Sequence, residues 1–140
     1  MESNVLFTNI MTVLEKTLDF RSQRHNLIAS NIANLDTPRF QAKDLKFKNQ
    51  LRDALHGGKN RAIRTTHKKH FPIGTQDIRS VKPEVVSCPS ILLSNDLNTV
   101  DAEKEMGKLV ENNLMYNVTA RILKKKFDGI KNAIRDGGGR

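Results

Sequence analysis

Apolar side chains recur at alternating three- and four-residue steps near the start of the chain. Seven of the nine positions in this first stripe are apolar, and the set is Phe7, Met11, Leu14, Leu18, Arg21, His25, Ile28, Ile32 and Leu35. Side chains spaced in this way share one face of a helix. The pattern predicts a helix that begins near Ser3 or Asn4 and ends near Asn34, before a turn at residues 36–38.

A second stripe with the same spacing runs near the end of the chain. Its positions are Met106, Leu109, Asn113, Tyr116, Ala120, Leu123, Phe127, Ile130 and Ile134. Acidic side chains crowd the first turns of this segment and basic side chains crowd its last turns, which suits the dipole of one long helix. We expect this helix over residues 99–136, with Asn98 as its N-cap, Asp101 at its third position and the glycines at 137–139 as its stop.

The residues between the two stripes have a different pattern. All four prolines lie between residues 38 and 89, which confines long helices to the flanks. Residues 45–55 predict a short amphipathic helix and residues 56–60 a turn. Short apolar or β-branched runs follow at 63–66, 78–81, 84–86 and 91–93. The chain therefore divides into an N-terminal assembly helix (1–35), a small irregular or β-containing segment (36–98) and a C-terminal assembly helix (99–140).

Each stripe is a narrow seam that needs a partner. Spacing alone leaves two arrangements open. The helices either close into an antiparallel hairpin within one molecule, or stay largely unpaired until they pack against neighbouring copies. Arg21, His25 and Asn113 interrupt the seams and would fix register there, although Arg21 and His25 could equally lie at the edge with their heads in water. The middle segment offers the helices little to pack upon, so we favour assembly and expect mobile termini in the monomer.

The net charge of +9 is uneven along the 140 residues: the first 35 are neutral, and the excess lies behind them. Such a balance permits binding to nucleic acid, anionic lipid or an acidic protein. A basic helical nucleic-acid-binding protein is therefore the alternative function. The lysine runs are short, however, and no helix-turn-helix or aromatic RNA motif accompanies them.

No set of residues in the sequence indicates catalysis, so we predict neither an enzyme nor a cofactor. The available soft ligands are His67, His70, His25 and Cys88, which lack a paired cysteine or an acidic third ligand. A single cysteine excludes a disulfide within the chain. No segment has the length of a membrane span, and the N-terminus does not read as a cleavable signal peptide.

The two flanks also carry a family motif. Residues 27–40 read LIASNIANLDTPRF, and the far flank reads VDAEKEM at 100–106, LVENNLMY at 109–116 and LKKKF at 123–127. These segments resemble the flagellar basal-body rod and hook family, and most closely its proximal-rod members. The set that we name the rod motif is Asn31, Ala33, Asn34, Asp36, Thr37, Pro38 and Phe40.

The motif has a physical interpretation besides the resemblance. Asn31 and Asn34 can bond to backbone groups where the helix ends, and the small residues 29, 30 and 33 allow close helix approach. An ordinary helix terminus is the alternative. The family commonly has glycine where this chain has Arg39 and tyrosine where it has Phe40, so a turn that relied on glycine would differ here.

The resemblance implies a structural subunit of the bacterial flagellar rod, exported by the flagellar type III apparatus and assembled helically around a channel in the periplasm. Its terminal helices would form a coiled-coil layer on assembly. Implied partners are other copies, other rod proteins, the adaptor between rod and membrane ring, and the export apparatus. The expected assembly interface comprises both stripes except Arg21 and His25. Phe47 and Leu51 match an export motif, although an amphipathic contact would give the same pattern.

Overall fold

The computed structural model describes residues 9–55, 78–88 and 97–137. Its elements are α1 (Asn9–Ala33), β1 (Lys43–Lys46), α2 (Lys48–Leu55), a 3-10 turn (Ile78–Ser80), β2 (Glu84–Ser87) and α3 (Ala102–Gly137). Two long helices and a small strand-containing segment confirm the mainly α fold predicted from the sequence. The predicted start of the first helix, the turn at 56–60 and the runs at 63–66 and 91–93 lie outside the described residues.

The long C-terminal helix begins later than its pattern suggested. α3 has 36 residues and is about 54 Å long. Its N-cap is Asp101, whose Oδ1 accepts a hydrogen bond of 3.1 Å from the backbone N–H of Lys104, at the third helical position. The prediction that Asn98 caps this helix is wrong, because the Asn98 amide bonds to the turn that follows α1.

The two long helices pack against each other within one chain. The Asn31 amide, near the end of α1, lies 2.9 Å from the Glu105 carboxylate, near the start of α3. Ten residues earlier in α1, the Arg21 carbonyl accepts a 2.9 Å hydrogen bond from Asn112, further along α3. The pairing is therefore antiparallel. The expectation that the helices stay largely unpaired is corrected, because buried polar contacts close the hairpin in the single molecule.

A two-stranded antiparallel sheet lies beside the helix pair. Lys43 pairs with Ser87 and Lys46 with Glu84, which confirms a strand over residues 84–86. The short helix expected over 45–55 begins only at Lys48, because residues 45 and 46 belong to β1. The run at 78–81 begins with a 3-10 turn rather than a strand.

An apolar core cluster of the described residues joins α1 to the middle segment. Its buried members are Phe20, Leu45, Phe47, Leu51, Ala54, Ile78 and Val81, with Val13 and Leu27 packed against them. Three of these, Val13, Phe20 and Leu27, lie seven residues apart and form a second stripe on α1. The expectation that the middle offers little to pack upon is therefore wrong: the helix turns a second apolar face towards it.

Candidate functional site

The rod motif occupies the corner where α1 ends and β1 and α3 begin. Asn31 is 1% exposed, and its amide nitrogen donates to the Lys43 carbonyl at 2.7 Å and to Glu105 Oε2 at 2.9 Å. Its amide oxygen accepts from the Lys43 backbone N–H at 3.0 Å. One side chain thus takes both backbone groups of a strand residue and a carboxylate of the opposite helix. This geometry fixes three elements relative to one another.

A charge network extends from Asn31 along the same face. Asp44 accepts two hydrogen bonds from the Arg24 guanidinium, at 2.7 and 3.0 Å. The Arg24 and Asp44 side chains are only 17% and 16% exposed. Lys108 on α3 lies 3.9 Å from Asp44 and makes an ion pair with Glu105. The network therefore connects α1, β1 and α3 by charge as well as by packing.

Hydrogen bonding sets the protonation of this network. Burial by itself raises the pKa of Asp44, but the hydrogen bonds from Arg24 and from the Leu45 backbone, with attraction to Arg24 and Lys108, hold it below the ordinary 3.8. For Lys108, burial lowers the pKa, and the bond and attraction to Glu105 outweigh this and raise it. The Asp44 carboxylate and the Lys108 ammonium are thus stabilised in their charged forms.

The turn after α1 is held by a second asparagine on another segment. The Asn98 amide nitrogen contacts the carbonyls of Asn34, Leu35 and Thr37 at 3.1, 2.7 and 2.9 Å. Asn34 in turn bonds its own helix at the Ser30 carbonyl, 2.8 Å away, and accepts from the Thr37 hydroxyl at 3.2 Å. The prediction that Asn31 and Asn34 bond to backbone groups where the helix ends is confirmed.

The remaining rod-motif side chains face outwards. Ala33, Asp36, Thr37 and Pro38 are exposed, and Phe40 is half-buried. Residues 29 and 30 are exposed as well, so the idea that small side chains here bring helices together is wrong for the intrachain pair. Within the motif, the buried interactions come from Asn31.

Arg39 adopts a left-handed backbone conformation, with φ of 62°. This is the region that glycine enters without steric cost. Arg39 therefore takes a backbone conformation that glycine, the family's common residue at this position, can adopt without steric strain. The Asn98 contacts and the hydrogen bond from Thr99 N to Phe40 O, 3.0 Å long, over-determine the turn and hold the strained residue in place.

The intrachain contact on α3 uses a polar strip. Glu105, Asn112 and Thr119 are 2%, 1% and 8% exposed and lie seven residues apart. Sequence reasoning missed this strip because it followed the apolar residues, and it selected Asn113, which is exposed, instead of Asn112. The signal was available, since polar residues at heptad spacing can form one interface as well as apolar ones.

Along the two predicted seams, burial is mixed. On α1, Met11 and Ile28 are buried, Leu14, Leu18 and Ile32 are half-buried, and Leu35 is 37% exposed; Phe7 lies outside the described residues. On α3, the half-buried members are Leu109, Ala120, Leu123 and Ile130, whereas Met106, Asn113, Tyr116, Phe127 and Ile134 are exposed. The single molecule therefore covers part of each seam.

The two polar residues in the N-terminal seam behave differently. His25 is exposed, as one interpretation expected. Arg21 is half-buried, and its guanidinium carbon lies 5.8 Å above the centre of the Phe47 ring. Burial, and then repulsion from Arg24, lowers the pKa of Arg21. Arg21 thus packs its cation on an aromatic face rather than extending fully into water.

The residues of the predicted export motif lie in the core. Phe47 and Leu51 are 9% and 8% exposed and belong to the cluster around Phe20. In the folded chain they form the amphipathic contact that the sequence left as the alternative. A role in export stays a prediction, and it requires that this segment be unfolded when it is recognised.

Other chemistry has little support in the described residues. No group of three His, Cys, Asp or Glu side chains there could hold a metal ion, and residues 67 and 70 lie outside them. Among the same residues, no helix is both long and apolar enough to cross a membrane. The candidate site is therefore a set of packing and hydrogen-bonding surfaces.

Comparison with known proteins identifies the family of this chain. A family model described as "Flagella basal body rod protein" matches residues 11–41, which include most of α1 and the whole rod motif. The chain is 30% identical over 129 residues to the flagellar basal body rod protein FlgB of Escherichia coli strain K12, covering 88% of this chain and 91% of that protein.

Relatives named FlgB in other bacteria match as fully. The Cereibacter sphaeroides protein is 33% identical over 129 residues, covering 92% of this chain and 96% of the relative. The Aeromonas hydrophila protein is 29% identical over 137 residues, covering 94% and 96%. From this similarity over nearly the whole length, together with the rod motif at the corner of its two helices, the chain belongs to the FlgB family of flagellar basal body rod proteins.

Proposed function

We propose that this chain is a structural subunit of the bacterial flagellar basal-body rod, and that it assembles through surfaces of its paired helices α1 and α3. Membership of the FlgB family supports the subunit role and its location in the rod. The family is structural and is not known for an enzymatic activity. Assembly with other rod components follows from the same membership.

One observation carries the assembly proposal. Nine large apolar side chains of α3 are at least 40% exposed among the described residues, and they are Met106, Val110, Leu114, Met115, Tyr116, Val118, Ile122, Phe127 and Ile134. A surface of this extent is a general mark of protein–protein contact. Its members share one helix of about 54 Å, which suits a subunit that contacts several neighbours along its length.

The finer steps of this proposal follow from the family resemblance. We propose export by the flagellar type III apparatus, followed by helical addition to the rod through a contact that uses two different patches. Proposed partners are other copies, other rod proteins and the adaptor between the rod and the membrane ring. The nucleic-acid-binding alternative has no support from the comparisons.

Gene deletion and complementation test the subunit role. Deletion in the native host is expected to give cells without flagella in which basal-body assembly stops at the rod, and the wild-type gene should restore swimming. Deleted cells that still build complete hook-basal bodies would refute the subunit role.

Substitutions on α3 test the assembly surface separately. Phe127→Ser and Ile134→Ser alter side chains that are 47% and 64% exposed, so each should change the free energy of unfolding by less than about 0.5 kcal/mol. Both variants are nevertheless expected to fail in complementation, whereas the neighbouring Lys131→Ser control should swim. Full swimming by both variants would refute this part of the interface and leave the subunit role intact.

A further inference from the structure

One face of α3 has a pattern that the rod seam does not explain. Seven positions at four- and three-residue steps point within about 40° of the direction of Leu114, at 100° per residue. We name them the Leu114 face, and they are Glu103, Gly107, Val110, Leu114, Val118, Arg121 and Lys125. None of them belongs to the predicted seam or to the exposed end near Ile134, although Val110, Leu114 and Val118 are among the nine exposed apolar side chains of α3.

The Leu114 face points away from α1. Glu105, Asn112 and Thr119, which contact the α1 side, lie about 140–180° around the helix from Leu114. Val110, Leu114 and Val118 are 65%, 61% and 43% exposed. The centre of the face is thus an aliphatic surface that the hairpin itself does not cover.

The pattern of this face is symmetric about Leu114. Val110 and Val118 lie four residues to either side, and Glu103 and Lys125 lie eleven residues to either side. A twofold axis between two antiparallel copies, level with Leu114, would place Leu114 beside its equivalent and each Val110 beside a Val118. Both Glu103 side chains would then meet a Lys125 of the other copy.

Two more positions fit the same arrangement. Gly107 has open space where a side chain would be, and the twofold places it opposite Arg121 of the second copy. Met106 and Ile122, 53% and 44% exposed, flank the aliphatic centre as a further symmetric pair. A glycine opposite an arginine gives the long side chain room to lie along the partner helix.

The charges select this orientation over a parallel one. In a parallel pair in register, Glu103 would face Glu103 and Lys125 would face Lys125, which like-charge repulsion disfavours. A parallel pair staggered far enough to join acidic and basic ends would separate the aliphatic centres. The antiparallel pair satisfies both requirements, with helices crossing at about 20° so that the charged ends stay together.

We propose that the free subunit forms an isologous dimer through the Leu114 face, with a second copy of this chain as the partner. Because both copies use the same patch, the pair is closed and cannot extend.

A growing rod needs contacts between different patches, so this dimer must dissociate before a subunit is incorporated. The pairing goes beyond the proposed function: it shields the aliphatic face of the free subunit and withholds it from polymerisation. We expect a contact along one helix face to fall at the low end for specific interfaces, below about 1,200 Å² in total, so exchange should be rapid.

Cross-linking of the full chain tests the twofold directly. In a Cys88→Ser background, Leu114→Cys places one thiol on the proposed axis, and Asn113→Cys places an exposed thiol about 100° away as the matched control. Mild oxidation should give a covalent dimer with Leu114→Cys and little with Asn113→Cys. Equal cross-linking at both positions, or at neither, would overturn the proposal. Thermal melts by circular dichroism verify that both variants are folded.

Charge reversal tests the proposed pairing of the ends. In sedimentation equilibrium, Lys125→Glu and Glu103→Lys should each weaken the dimer about tenfold, and the double variant should return to within about threefold of wild type. A concentration-independent monomer for the wild type would overturn the proposal, and so would a series of open-ended oligomers. The complementation experiment is separate, so failure of the dimer leaves the rod function standing.

Discussion

At the scale of residues, Asn31 shows how one side chain organises the corner. Its amide makes three hydrogen bonds of 2.7–3.0 Å, and the partners are the backbone N–H and carbonyl of Lys43 and the buried carboxylate of Glu105. The sequence indicated that this residue would bond to backbone groups. It could not indicate which groups, because Lys43 and Glu105 are 12 and 74 residues away.

We expect Asn31→Ala to lower the free energy of unfolding by about 3 kcal/mol, because three partners, one of them the buried Glu105 carboxylate, lose their hydrogen bonds at once. Urea unfolding at pH 7 measures the loss. The control is Asn34→Ala, whose Ser30 bond is exposed and should cost less than about 1 kcal/mol. An equal loss in both variants would contradict the expectation that the Asn31 hydrogen bonds stabilise the fold more than the exposed Asn34 bond does.

A substitution at Arg39 is expected to stabilise the fold instead. Its φ of 62° costs a non-glycine residue about 1 kcal/mol, so Arg39→Gly should raise the free energy of unfolding by about that amount. Arg39→Ala keeps the Cβ and should leave stability within about 0.5 kcal/mol of wild type. Paired urea titrations measure both, and a destabilised glycine variant would contradict the steric argument.

At the scale of elements, a charge network ties α1, β1 and α3 together. The Arg24–Asp44 pair has two hydrogen bonds and lies largely out of water. Its residues are unremarkable in the sequence, since 24 and 44 fall in different segments. Only the pairing of α1 with β1 makes an ion pair of them.

The network predicts a defined pH dependence. The pKa of Asp44 is lower in the folded chain than its ordinary 3.8, so its contribution is full above that value and is lost as the pH falls through the folded pKa. At pH 7, Asp44→Asn should cost about 2 kcal/mol, and the difference from wild type should shrink below pH 4.

Urea unfolding between pH 7 and pH 2.5 measures this dependence. Asp53→Asn is the matched control, because the Asp53 side chain is 65% exposed and should contribute less than about 0.5 kcal/mol at any pH. A constant difference between wild type and Asp44→Asn across this range would contradict the linkage.

The sequence predicted the two long helices but not the residues through which they pair. The three-four spacing predicted both helices, because apolar periodicity reports secondary structure directly. It predicted the end of α1 to within one residue. It did not identify Glu105, Asn112 and Thr119 as the contact strip, because these residues are polar and gain their burial only from the partner helix. The same reasoning missed Phe20, whose burial depends on the middle segment.

At the scale of the whole molecule, the closed hairpin changes what the free subunit should look like. The sequence suggested mobile termini, whereas contacts at Asn31–Glu105 and Arg21–Asn112 hold α1 against the first half of α3. The last residues of α3, 131–137, are all exposed. Stability is therefore expected to vary along this one helix.

Hydrogen exchange on the monomeric subunit measures that variation. Amides of residues 105–119 and of the second half of α1 should exchange at least about tenfold more slowly than those of residues 131–137, because their opening requires loss of buried contacts. Uniformly fast exchange in both helices would favour the unpaired arrangement instead. A dilution series separates this result from any protection that a dimer confers.

The sequence by itself determined two long helices, a strand-containing segment between them, and membership of a structural family, because periodicity and local motifs are written in contiguous residues. Only the tertiary structure decided that the helices close on each other through polar side chains and that the middle segment packs on a second face of α1. It also showed that Arg39 takes a left-handed backbone conformation. These outcomes depend on residues far apart in the chain, whose burial and hydrogen bonds exist only once the elements meet.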